Sequence, residues 1–293
     1  MPADTSLMTT PDGRQLEYRI TGSPDGPAVL FHTGTPGATI DFSEVTAAAT
    51  ASGLRLVGYS RPGYGRSTER PGRSVGEVAE DVTALLDELG VDEFRAFGWS
   101  GGGPHALACA ALLPGRCMAA ALLASVAPYD ARGLDWMNGM DQGNVDEFTA
   151  TIAGVDALEA FLQPQIDALR NISGPEIAEG MGGLLSSVDK AAVTGTFAEE
   201  LAISFRGAVE NGVAGWRDDD LAFARDWGFG LSGITVPVAV WQGRQDRMVP
   251  YEHGEWLAAE IPTAQAHLFE DEGHVSLIAQ IDKILADLAT LGD

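Results

Sequence analysis

Short, almost continuously apolar runs alternate with helix-length segments through the first 126 residues. Leu16 to Thr21, Ala28 to His32, Leu54 to Tyr59, Phe94 to Phe97 and Met118 to Val126 read as strands, and residues 40–51, 78–89 and 104–113 as helices. A strand that is apolar on both faces cannot leave either in water. Runs of this kind therefore call for helices packed on both sides of a mostly parallel sheet, an α/β fold. Ser74-Val75-Gly76-Glu77 has the Ser-x-x-Glu spacing of a capping box, and the turns after it put Val78, Val82, Leu85, Leu86 and Leu89 on one face.

The alternation stops after Tyr129. From 130 to 233 there are helical patterns and no convincing strand. Asp156 and Glu159 have capping spacing, and Leu158, Phe161, Leu162, Ile166 and Leu169 then share a face. Pro164 is expected to break or kink that helix, and 198–209 is a further helix candidate. Strand signals return at Val236 to Trp241 and Ala266 to Phe269, with helices expected at 251–261 and 275–291. A connection of this length is not expected to be structureless inside a compact protein. The sequence thus predicts one α/β core from residues 1–129 and 234–293, with an inserted all-helical cap at 130–233 over one edge of the sheet.

Composition narrows the partners. The 293 residues carry a net charge of −24, which would repel nucleic acid and anionic membranes, and 45% of them are hydrophobic, ample for a core. A small-molecule substrate is the expected partner, taken by a monomer or homodimer. Cys109 and Cys117 are too few for a disulfide framework, so a cytoplasmic setting is expected. The first residues lack the basic start and apolar segment of a secretory signal, and the apolar run Met118 to Ala127 is too short to span a bilayer. No metal or cofactor is expected, and no membrane anchoring.

The chemistry gathers around Gly98-Trp99-Ser100-Gly101-Gly102, a Gly-x-Ser-x-Gly pattern between a predicted strand and a predicted helix. In that context the turn is tight enough to push the serine hydroxyl outward, and glycine two residues to either side avoids collision with backbone. A serine hydroxyl needs a base. Of five histidines, His274 lies in the loop Glu270 to His274 at the carboxyl end of the last strand, the edge where α/β sites collect. His32, His105, His253 and His267 read as structural. Asp246, in the loop after Val236 to Trp241, is the expected partner of His274, with Asp130 as its rival. An oxyanion needs backbone donors. Gly101 supplies one, and the loop Phe31-His32-Thr33-Gly34-Thr35-Pro36-Gly37 supplies the other from Thr35 or Gly34, because Pro36 has no N–H.

In this order the pieces resemble the α/β-hydrolase superfamily, in its serine-hydrolase, esterase- and lipase-like branch with an inserted helical cap. The resemblance covers nearly the whole chain outside 130–233. It implies Ser100 as nucleophile, Asp246 as acid, His274 as base, and an oxyanion amide most readily at Thr35. Tyr59 to Ser67 is similar in part to the family's Asp-x-Arg-Gly-x-Gly-x-Ser-like loop, with Ser60 near the acidic position, and reads as structural. The expected activity is cleavage of a carboxylic ester or related acyl bond. Alternatives are a proline-iminopeptidase-like aminopeptidase using cap acids such as Glu199 or Glu200, a carbon–carbon bond hydrolase, a haloperoxidase-like enzyme, and a ligand-binding receptor that retains the triad.

Overall fold

The computed structural model describes residues 5–292. Its first half runs β1 (Ser6–Thr9), β2 (Gln15–Gly22), β3 (Ala28–His32), α1 (Ser43–Ala51), β4 (Arg55–Tyr59), α2 (Val78–Glu88), β5 (Phe94–Trp99), α3 (Gly103–Leu112) and β6 (Cys117–Leu123). Six helices follow: α4 (Gln142–Ala153), α5 (Val155–Leu169), α6 (Gly174–Gly180), α7 (Ser187–Ala192), α8 (Gly195–Ala208) and α9 (Ala214–Phe223). The chain then returns through β7 (Val238–Gly243), α10 (Tyr251–Glu260), β8 (Ala264–Phe269) and α11 (Ile281–Thr290).

All eight strands form one sheet in the order β1-β2-β4-β3-β5-β6-β7-β8. β1 and β2 are antiparallel to their neighbours, and β3 to β8 are mutually parallel. Alternation along each strand divides the core in two. Leu30, Val57, Ala96, Leu122 and Val240 meet Val82, Leu85, Leu107 and Leu257 of α2, α3 and α10 on one face. Val29, Leu56, Phe97, Ala121 and Ala239 meet Val45, Ala49, Ile284 and Leu288 of α1 and α11 on the other. Both faces are covered, as strands this apolar require. Among the described residues, no helix is long and apolar enough to cross a membrane.

Local expectations fail where a single pattern competes with tertiary packing. β1 has no apolar run, because three of its four residues are exposed. α1 starts at Ser43 instead of residue 40, and α11 at Ile281 after a 3₁₀ turn at Ser276–Gln280. At α2 the bond between the Ser74 N–H and the Glu77 carboxylate forms at 2.6 Å, yet the helix begins only at Val78, so the box closes a turn ahead of the helix. Asp156 does not cap α5. Gly154 holds that position at φ 112°, and Glu159 pairs instead with Arg217 at 2.7 Å. α5 continues through Pro164. The proline is exposed, so the carbonyl it leaves without a donor faces water, while Leu158, Leu162 and Ile166 keep the other face buried.

Candidate active site

β3, β5, β7 and β8 all end at the same edge of the sheet, because they are parallel. The loops leaving them carry the residues singled out from the sequence. Ser100 follows β5 directly and takes φ 54°, with Trp99 before it still extended. The chain reverses from strand to 3₁₀ turn at this one residue, and that reversal crowds the backbone around it. A Cβ at Gly98 would run into the Gly102 carbonyl, and one at Gly102 into the carbonyls of His32 and Thr33. Glycine is needed at 98 because the elbow folds back on its own strand, and at 102 because the end of β3 and its loop press against the elbow.

The register His32↔Gly98 between β3 and β5 brings the loop after β3 alongside the elbow. Gly34 packs directly on Ser100, and the Thr35 side chain lies over Gly101. The three candidate oxyanion donors, Gly34, Thr35 and Gly101, therefore line the same cavity as Ser100 and His274. This cavity has a volume of about 260 Å³ and is walled by the sheet edge on one side and by residues of α4, α5, α8 and α9 on the other.

His274, five residues beyond β8, points Nδ1 at Asp246 Oδ2, 2.8 Å away. Asp246 is fixed in turn. Its Oδ1 accepts the N–H groups of Met248 and Val249, both at 2.8 Å, and its Oδ2 also accepts Gln242 Nε2 at 3.0 Å. Burial works against an imidazolium at His274. The charge of Asp246, its hydrogen bond and the charge of Asp189 outweigh that burial and raise the imidazole above its ordinary value near 6.5. With Nδ1 engaged, Nε2 is the nitrogen left for proton transfer. Asp130, the alternative acid, is exposed on the protein surface.

The other histidines are held by structural contacts. His32 meets the Tyr59 hydroxyl at 3.0 Å, His105 the Gly101 carbonyl at 2.9 Å, and His253 accepts the Ala127 N–H at 3.1 Å. His267 stacks on Trp241 at 3.9 Å. Glu199 and Glu200 are also engaged away from the cavity, Glu199 with Gly174 N–H and Arg206, Glu200 with Ser43 N–H.

Sequence reading missed two buried aspartates of the helical segment. Asp189, in α7, accepts the N–H groups of Val275 at 2.7 Å and Ser276 at 2.9 Å, and so holds the loop that carries His274. Asp219, in α9, accepts from Thr35 Oγ1 at 2.7 Å and Tyr64 at 2.9 Å, and binds Arg61 at 2.6 Å and Arg73 at 2.7 Å. Arg61 also donates to the carbonyls of Thr33 at 2.6 Å and Gly34 at 3.0 Å. The Tyr59 to Ser67 loop thus clamps the candidate oxyanion loop. The cation-rich loop Arg61 to Arg73 was the available signal, since a buried arginine needs an acid somewhere, but nothing in sequence says which of 42 acidic residues supplies it.

Against known proteins, residues 27–279 match the profile of the α/β-hydrolase fold. The chain belongs to the α/β-hydrolase family. The chain is 28% identical over 289 residues to a 2-hydroxy-6-oxononadienedioate/2-hydroxy-6-oxononatrienedioate hydrolase of Cupriavidus pinatubonensis, covering 93% of this chain and 90% of that protein. It is 30% identical to a non-heme chloroperoxidase of Streptomyces lividans, over 91% of each chain. It is 27% identical to a bifunctional esterase/perhydrolase of Acinetobacter calcoaceticus, over 87% of each. These relatives differ among themselves in named activity.

Proposed function

We propose that the protein is a cofactor-independent serine hydrolase that cleaves a carboxylic ester, or a related acyl bond, of a small molecule. The observation that carries this is the buried His274–Asp246 pair, bonded at 2.8 Å, whose histidine lines one cavity with a serine held at φ 54°. In this reading Ser100 Oγ attacks the carbonyl carbon as its proton passes to His274 Nε2. The amides of Gly101 and of Thr35 or Gly34 stabilise the oxyanion. The tetrahedral intermediate collapses, His274 returns the proton to the departing alkoxide, and the alcohol leaves. Water, deprotonated by the same imidazole, then attacks the acyl-enzyme and releases the acid. Asp246 keeps the imidazole oriented and stabilises its charged form.

In the same reading the helical segment 130–233 acts as a cap that closes the cavity over Ser100. The relative's named dioate substrate would bring two carboxylates. Among the described residues lining this cavity there is no lysine or arginine, while Glu147 and Asp220 are there. That lining favours an uncharged or cationic acyl substrate over a dianion, and so favours ester cleavage over the carbon–carbon reaction.

The test is a panel of short aryl esters, an arylamide and a 2-hydroxy-6-oxo-dienedioate, run on wild type and on Ser100→Ala. Ester turnover that disappears with Ser100→Ala, together with loss of fluorophosphonate labelling and an unchanged melting temperature, is expected. Labelling of Ser100→Ala at the wild-type level refutes the nucleophile, and efficient dienedioate cleavage without ester turnover refutes the ester reading.

A further inference from the structure

Glu147 of α4 and Asp220 of α9 meet in the wall of the Ser100 cavity, on the side formed by the helical segment. Their carboxyl groups are within hydrogen-bonding reach of each other, and Trp216 Nε1 donates to Glu147 Oε1 at 2.5 Å. Asp220 is only 1% exposed, and its Oδ2 is buried without a donor. Phe148, Phe205 and Phe223 line the cavity with Trp216. Asp220 sits one helical turn before Phe223, whose ring approaches Gly101 at the elbow.

Two nearby cations do not serve this pair directly. Arg61 and Arg73 are bound to the neighbouring Asp219, and neither lines the cavity. What lies in the cavity wall is a carboxyl pair set among aromatic rings, with Asp220 Oδ2 buried and unfilled by any donor. Carboxylate and aromatic faces attract the same kind of group, an organic cation, the first by charge and the second by its quadrupole. Burial pushes both carboxyl groups above the usual carboxylate range, and the proximity of Glu147 raises Asp220 further.

We propose that Glu147 and Asp220 form a subsite for an ammonium group, so that the acyl substrates this cavity prefers carry a positive charge. The proposal rests on the serine-hydrolase reading for the identity of the reaction, but not for the existence of the subsite. The two are separated by two measurements. Calorimetric titration of Ser100→Ala with benzyltrimethylammonium needs no turnover. It is expected to show saturable binding that weakens at least tenfold when Glu147→Gln or Asp220→Asn is added, with sodium benzoate giving no binding. The second measurement compares kcat/KM for the p-nitrophenyl esters of 4-(trimethylammonio)butyrate and 5,5-dimethylhexanoate, which are equal in shape and differ in charge. Wild type is expected to favour the cationic ester by tenfold or more, and Glu147→Gln to bring the ratio towards one. No binding of the cation, or binding that both substitutions leave unchanged, overturns the subsite. A wild-type ratio at or below one overturns it without any substitution, should both variants fail to fold. Cation binding with no turnover of either ester leaves the subsite standing and overturns the hydrolase reading instead.

Discussion

His274 holds a proton more firmly than a free imidazole, and the reason is local. Burial disfavours its cation, but Asp246 at 2.8 Å and the charge of Asp189 more than compensate. In the proposed mechanism the base must be neutral to accept the Ser100 proton, so activity is expected to appear as pH rises through a value above the ordinary 6.5 or so. The kcat/KM profile for an aryl ester is expected to show that raised apparent pKa, and Asp246→Asn to lower it while cutting turnover by about 10³ to 10⁴-fold. The same shift contributes to folding with a fixed sign. Stability from the His274–Asp246 pair is fully present below the unfolded imidazole value and is lost as pH rises through the raised folded one. A profile whose limb sits below 6.5 in wild type would contradict this account of the pair. Ser100 and its flanking glycines could be recognised in the sequence because the elbow needs those residue types in fixed order. The place of Asp189 beside the His274 loop could not, because it comes from a helix far back in the chain whose own pattern points to no partner.

At the scale of single elements, α7 deserves notice for what its short length accomplishes. It spans only Ser187–Ala192, too few residues to be stable alone, and is fixed at its start by the reciprocal bonds of Ser186 and Asp189. Asp189 at the same time accepts two backbone N–H groups from the His274 loop. One carboxylate caps a helix and tethers a loop. Asp189→Ala leaves those two buried N–H groups without an acceptor, a penalty of roughly 1–3 kcal/mol for each one that water cannot reach. Turnover of an ester substrate is expected to fall at least tenfold through kcat, with KM little changed, and Asp189→Asn, which keeps one oxygen acceptor, to recover part of the loss. Equal activity of the alanine variant and wild type would show that the loop is held by other means. Sequence alone showed no more than a Ser-x-x-Asp pattern here, indistinguishable from any helix start.

Across the whole molecule, the helical segment and the core are joined by charge as well as by apolar contact. Asp219 in α9 reaches Arg61 and Arg73, which belong to the loop after β4, and all three are almost fully buried. Burial alone would raise the Asp219 carboxyl, but Arg61, Arg73 and His105 reverse that and hold it well below the usual carboxylate range. Its contribution to stability is therefore present above the unfolded value of about 4 and is lost only as pH falls towards the folded one. Removing the acid strands two buried guanidinium groups, which costs about 3–5 kcal/mol. Asp219→Ala is expected to lower the urea midpoint by a nearly constant amount between pH 5 and 8, and by less below pH 4. A variant with wild-type stability at pH 7 would mean that the arginines find water or another acid.

Local patterning specified strands β2 to β8 and the helices that cover them, and it placed Ser100 at a strand-to-helix turn and His274 and Asp246 in loops after later strands. Each of these is written in local periodicity or in a short motif, and the rule that parallel strands end on one edge then brings them together. What surrounds them came from long-range packing. Asp189, Asp219, Glu147 and Asp220 all come from the helical segment, where each reads as one more solvated charge in an acidic chain. Burial against a partner distant in sequence is what gives each its role, and no local pattern encodes which partner that is.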